Sequence, residues 1–248
     1  MNVAGLTDVG RNRNQNQDAI FFTGEPIGPL PNLFIVADGL GGHNAGEVAS
    51  SNAVEFIKSY VRDFKAAEFV QPDNYLDLLV TAVQGANRKV CELAESNSEM
   101  QGMGTTLTAC IITDEKIFLA HVGDSRAYAI TKDKIHQLTA DHSYVESMVK
   151  TGQITAEEAL SHPDRHMITR VLGMPDLFEV DGAVKPIGDT VSVLLCSDGL
   201  TNMLEDNMIK DIINGTGFVG HRVKFLIEEA NLRGGLDNIS AVLIDVNR

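Results

Sequence analysis

Tryptophan is absent from this chain, and aromatic residues make up only 6% of it. Its core must therefore be built from aliphatic side chains, which the 44% hydrophobic fraction supplies in ordinary amount. Cysteine is scarce too. Cys91, Cys110 and Cys196 form no C-x-x-C pair, and an odd number suits no disulfide framework. Cys110 and Cys196 sit inside apolar runs and read as small buried hydrophobes of a reducing compartment. No apolar run reaches bilayer-spanning length. Met1-Asn2-Val3-Ala4-Gly5 lacks the basic start and apolar stretch of a secretory signal. A cytoplasmic protein without membrane insertion is expected. Positive charge is also short: 20 Lys and Arg against 34 Asp and Glu leave a net charge of −14. Such an excess repels nucleic acid and anionic lipid at long range, so no nucleic-acid partner is expected. It does not exclude a phosphate-bearing substrate, because clustered metal ions invert the field inside a cleft.

What is present is periodicity. Residues 33–37 (LFIVA) form the first clear strand, which ends in Asp38-Gly39 and a glycine-rich turn at Gly41-Gly42. Residues 45–64 place Ala49, Ala53, Phe56, Ile57, Tyr60 and Phe64 three and four apart, the spacing of one buried helical face. Residues 74–96 repeat the pattern with Leu76, Leu79, Val80, Val83, Val90 and Leu93. Four short strands are predicted at 105–113, 116–122, 127–131 and 135–138. Asp114-Glu115 and Lys132-Asp133 suit tight hairpin loops between them. Residues 141–175 differ in character. They hold short helical pieces at 144–151 and 156–160, broken by Gly152, Pro163 and Pro175, and read as a flap over one end of a sheet. Strands at 178–184 and 191–196, a helix at 219–232 and a strand at 239–246 complete the chain. Runs of strands and runs of helices without βαβ alternation predict an α+β fold, with two antiparallel sheets and helices outside them.

Four aspartates share one context, in which an apolar run ends and an acid follows beside glycine or asparagine. They are Asp38, Asp124, Asp198 and Asp237. Taken singly, each suits an ordinary turn. Taken together, they place several carboxylates at strand ends. If those ends converge, the clustered charge is unfavourable without cations. Oxygen ligands select hard ions such as Mg²⁺, Mn²⁺ or Ca²⁺. An EF-hand is excluded by the wide spacing of the acids. The polar segment from Gly10 to Asp18 adds a fifth acid, Asp18, and Arg13, whose planar fork matches two phosphate oxygens.

Six ordered tags carry a resemblance: Gly10-x-x-Arg13-x-x-Asn16-Gln17-Asp18, then Val36-Ala37-Asp38-Gly39-Leu40-Gly41-Gly42-His43-x-x-Gly46-Glu47, Gly104-Thr105-Thr106, Val122-Gly123-Asp124-Ser125-Arg126, Ser197-Asp198-Gly199-Leu200 and Asp237-Asn238-Ile239-Ser240. In order and spacing the chain resembles the PP2C (PPM) family of metal-dependent protein serine/threonine phosphatases, in its compact bacterial form. The resemblance implies a four-layer αββα sandwich, two antiparallel β-sheets flanked by helix pairs, as one domain over residues 1–248 with the flap at about 141–175. It implies two Mn²⁺ or Mg²⁺ ions. Asp38 would bridge them, the Gly39 carbonyl would ligate one, Asp198 and Asp237 would complete a shell, and Asp18 would act through water. Asp124 would join Asp198 at a third, weaker ion. Arg13 would hold the substrate phosphate.

The activity so implied is hydrolysis of phosphoserine and phosphothreonine in proteins by a metal-activated water, opposing a bacterial serine/threonine kinase, with the enzyme a monomer. The leaving alkoxide needs a proton. His43 is the first candidate and packs beside the next helix in the alternative reading; His162 and His166 in the flap are weaker ones. Two departures stand out. Gln17 occupies a place often held by glutamate, and Leu40 a place where animal members carry histidine. Two rivals remain open: an enzyme with one dedicated target in a sigma-factor partner-switching pathway, and a catalytically silent binder of phosphoproteins. The filled acid positions weigh against the second.

Overall fold

The computed structural model describes residues 1–42, 45–64, 74–175 and 179–246. One sheet runs in the order β1 (Asn2–Asp8), β11 (Ile239–Asp245), β10 (Ser192–Cys196), β7 (Arg126–Ile130), β8 (Ile135–Gln137). The other runs β2 (Asp18–Thr23), β3 (Leu33–Leu40), β5 (Leu107–Ile112), β6 (Lys116–Val122), β9 (Asp181–Pro186), with short β4 (Gly104–Thr105) paired to β3. Both sheets are antiparallel throughout.

Successive side chains on a strand point to opposite faces, and this decides the layering. Leu33, Ile35 and Ala37 of β3 pack with helices α1 (Ala45–Asp63) and α2 (Tyr75–Ser96). Phe34 and Val36 point the other way and join Cys110, Val193, Leu195 and Val242 between the sheets. On the far side, Leu194, Cys196, Ala241 and Leu243 face helices α5 (Asp198–Thr201), α6 (Asp206–Ile213) and α7 (Val219–Leu232). The order is helix, sheet, sheet, helix, the α+β sandwich that the sequence implies. Strands covered on both faces lose the alternation of a half-exposed strand, which is why residues 33–37 read as one apolar run. Cys110 and Cys196 are buried and unpaired within these layers, and burial pushes the Cys196 thiol up to about 12.

The flap carries α3 (Tyr144–Lys150) and α4 (Ala156–Ser161). Ser143 caps the first by accepting from the Glu146 N–H, and Thr155 and Glu158 close a reciprocal capping box on the second. The chain returns at a bridge between Ser143 and Ile168.

Four elements depart most from expectation. β1 and β2 are strands although residues 2–8 mix small and polar side chains; pairing with β11 and β3 supplies what the local pattern lacks. α6 is also additional. The strand expected at 178–184 begins at Asp181 and runs to Pro186, and residue 178 lies outside the described residues. As the sheet's edge strand, β9 tolerates a proline at its end. No helix among the described residues is long and apolar enough to cross a membrane.

Candidate active site

The acids meet where the two sheets share an end. Asp18 and Asp38 are cross-strand partners at the same end of β2 and β3. Asp124 follows β6, Asp198 opens α5 directly after β10, and Asp237 precedes β11. Asp38, Asp124, Asp198 and Asp237 line one cleft of about 520 Å³, together with Arg13 and Gly39. Asp18 lies behind them, 8% exposed.

Each acid is fixed by its neighbours. Asp18 Oδ2 accepts from Ser197 Oγ at 2.8 Å and Ser240 Oγ at 2.6 Å. Both serines belong to the opposite sheet's strand ends, so this carboxylate ties the two sheets together. The Asp38 backbone is held by Thr106: its N–H donates to Thr106 Oγ1 at 3.0 Å and its carbonyl accepts from the Thr106 N–H at 2.8 Å. Asp198 Oδ2 accepts from Asn202 Nδ2 at 2.9 Å. Asp237 Oδ2 accepts from Arg13 Nη2 at 2.8 Å, with Arg13 half exposed at the rim.

Two glycines beside these acids are spatially required. A Cβ on Gly39 would stand 2.1 Å from the Gly46 carbonyl oxygen and 2.5 Å from that of Gln17. A Cβ on Gly199 would stand 2.0 Å from the Asn238 carbonyl oxygen. In both, the chain passes another backbone at a distance that no side chain allows.

The electrostatics follow from crowding. Burial, against the two serine hydrogen bonds and with Asp198 and Asp237 adding repulsion, raises the Asp18 carboxyl to about 7. Burial also raises Asp38, followed by the charges of Asp18, Asp198, Asp124 and Asp237. Asp124 rises to about 7 through burial, then Asp198 and Asp141. Asp198 rises through burial and Asp237, opposed by a hydrogen bond shared with Asp38. Two buried oxygens, Asp18 Oδ1 and Asp124 Oδ1, have no hydrogen-bond partner among the described residues. Mutually repelling carboxylates with orphaned oxygens fit hard divalent cations. Among the described residues, no three acid, imidazole or thiol groups stand close enough to enclose an ion as placed.

Of the sequence candidates, the structure gathers Arg13, Asp18, Asp38, Gly39, Asp124, Asp198 and Asp237. His43 lies outside the described residues. His166 lines the cleft beside Arg165, whereas His162 accepts from the Asp164 N–H at 3.2 Å away from it. Sequence reasoning assigned nothing to Ser197, Ser240 or Asn238. Asn238 accepts from the Gln17 N–H at 2.8 Å and donates to the Val9 and Gln15 carbonyls, both at 2.9 Å. It binds the N-terminal segment to β11. The available signal was a polar residue inside or next to an otherwise apolar strand.

An αββα sandwich with an acid-lined cleft at one end defines a class of metal-dependent hydrolases. A profile described as "Protein phosphatase 2C" matches residues 9–224. The chain belongs to the protein phosphatase 2C family, and it is a divalent-metal-dependent protein serine/threonine phosphatase. It is 38% identical over 242 residues to the serine/threonine phosphatase stp of Listeria welshimeri, covering 97% of this chain and 94% of the relative. It is 36% identical over 247 residues to the protein phosphatase PhpP of Streptococcus pneumoniae, covering 100% and 98%. Among solved structures it is similar to Stp1 of Staphylococcus aureus, with a TM-score of 0.91 at 33% identity over 99% of this chain and 95% of that one. It is also similar to the catalytic domain of PstP in complex with two manganese ions, with a TM-score of 0.83 at 31% identity over 99% and 98%.

Proposed function

We propose that the cleft removes phosphate from phosphoserine and phosphothreonine in proteins by direct hydrolysis at a binuclear manganese or magnesium centre. The chain would oppose a serine/threonine kinase, as a monomeric single domain in the cytoplasm. The observation that carries the proposal is the convergence of Asp38, Asp124, Asp198 and Asp237 on one cleft, with Asp18 and Asp124 each keeping a buried oxygen that has no partner among the described residues. Asp18, Asp38, Asp198, Asp237 and the Gly39 carbonyl would hold the two ions, and Asp124 with Asp198 a third, weaker one. Bound there, the ions supply Lewis acidity and neutralise phosphate charge.

The chain's own residues do the rest. The guanidinium of Arg13 sits at the rim on an exposed ion pair with Asp237, a contact worth little in water and readily exchanged for phosphate oxygens. Ser197 and Ser240 hold one Asp18 oxygen and leave the other without a partner among the described residues. Asn238 and Thr106 hold the strand ends so that the acids need no reorganisation during turnover. His43 is assigned the proton for the leaving alkoxide, with His166 as the second candidate.

Phosphate release from a phosphothreonine peptide, with Mn²⁺, Mg²⁺ and EDTA arms, tests this reading. Turnover with either metal and none in EDTA is expected. Folded, metal-loaded protein without turnover would overturn it, and a trapped phosphoenzyme would overturn direct hydrolysis.

A further inference from the structure

Residue His142 stands outside the cleft, yet it touches two things that the cleft needs. Its ring is 7% exposed. Gly123, the residue before Asp124, is gripped from both sides: its N–H donates to His142 Nδ1 at 3.0 Å, and its carbonyl accepts from the His142 N–H at 2.7 Å. The Gly123 φ is +112°, in the left-handed half of the map, where only glycine is relaxed. A Cβ there would stand 2.5 Å from the Thr106 Cβ. The turn that presents Asp124 is thus an unusual conformation held by one residue, through its imidazole on one side and its backbone N–H on the other.

The other side of His142 carries the flap. Its carbonyl accepts from the Thr169 N–H at 2.8 Å, and the next residue, Ser143, bridges Ile168. Residues 165 and 166, three and two positions before Ile168, line the cleft. The same residue therefore sets the Asp124 turn and the return of the flap.

The hydrogen bonds also dictate the tautomer. Nδ1 accepts, so the proton of a neutral ring is on Nε2, which faces Asp181 Oδ2 at 3.2 Å. Asp181 is held in turn by Arg170 Nη1 at 2.7 Å, and Arg170 Nη1 also lies 3.3 Å from Nε2. The His121 ring packs against the His142 ring with centroids 4.9 Å apart. A ring whose tautomer is chosen by a carboxylate on one side, leaving an acceptor on the other, is the arrangement used to orient functional imidazoles.

We propose that His142 is a positioning residue for the phosphatase reaction, fixing the Asp124 turn and the flap return in one relation so that both face the cleft. This rests on the cleft's function as read above. Asparagine carries its Oδ1 near the place of Nδ1 and can still accept from Gly123; alanine cannot. With Mn²⁺ and a phosphothreonine peptide, His142→Ala should lower kcat/KM by about tenfold to a hundredfold, through a buried N–H left unsatisfied and an acid displaced. His142→Asn should stay within about threefold of the parent. Amide exchange in EDTA supplies a second readout that needs no turnover. Gly123 should be protected in the parent and in His142→Asn, and should exchange faster in His142→Ala. Equal kcat/KM in His142→Ala and the parent, equal defects in the two variants, or unchanged Gly123 exchange in His142→Ala would each overturn the inference. An inactive parent would instead overturn the function read for the cleft, while the exchange result would still decide whether His142 holds the turn.

Discussion

Replacing Asp18 by asparagine should stabilise the metal-free protein while ending its activity. One oxygen of Asp18 accepts two serine hydroxyls, and an amide oxygen accepts the same pair. The other oxygen has no partner among the described residues, so the amide nitrogen placed there is a buried donor without an acceptor, costing about 1–3 kcal/mol. Against this stands the cost of the charge. The carboxyl rises from an ordinary 3.8 to about 7. The fold thus favours the protonated form: that stability is complete below about pH 4 and drains as pH climbs through 7. By pH 8 the loss is about 4 kcal/mol, at about 1.4 kcal/mol per tenfold. The difference leaves Asp18→Asn ahead by about 1–3 kcal/mol at pH 8, and near parity at pH 5. Urea unfolding in EDTA at the two pH values measures both numbers. With saturating Mn²⁺ the order should reverse, because only the parent gains the full linkage stabilisation of a bound ion. A variant less stable than the parent at pH 8 in EDTA, or an advantage undiminished at pH 5, would refute the reasoning.

Other substitutions separate the roles. Asp38→Asn should reduce turnover of p-nitrophenyl phosphate with Mn²⁺ to background while circular dichroism stays native; near-normal turnover would remove Asp38 from the bridging role. Arg13→Ala should raise KM for a phosphopeptide and change unfolding free energy by less than about 1 kcal/mol, since its ion pair is exposed. Gly199→Ala should lose both stability and activity, because its Cβ would meet a backbone oxygen at 2.0 Å. A fully active, equally stable Gly199→Ala would show that α5 can slide away from β11 without consequence.

Much of this was legible in the sequence because it is local. A helix such as α1 declares itself through spacing, and a strand covered on both faces, such as residues 33–37, through its unbroken apolar run. The acids were legible because each strand end repeats the same small pattern. What escaped has its cause elsewhere in the chain. β1 is a strand because β11 lies beside it, not because residues 2–8 favour extension. Asn238 matters because three backbone groups from residues 9–17 converge on its side chain, and nothing near position 238 announces them. Ser197 and Ser240 owe their part to a carboxylate from the other sheet that accepts from both, a contact no local pattern encodes.

That carboxylate has a consequence for how the chain assembles. Ser197 and Ser240 lie 179 and 222 positions from Asp18 along the chain, and Asp237 lies 224 from Arg13. Contacts so distant in sequence close only after the intervening loops have given up their freedom. On that ground the cleft is expected to close late in folding. In a zinc finger the ligands are near neighbours, and the metal organises the chain. Here a cation arriving early would find no pocket. A cation held there would act as a latch on the finished molecule, slowing the way out of the native state while leaving the way in untouched.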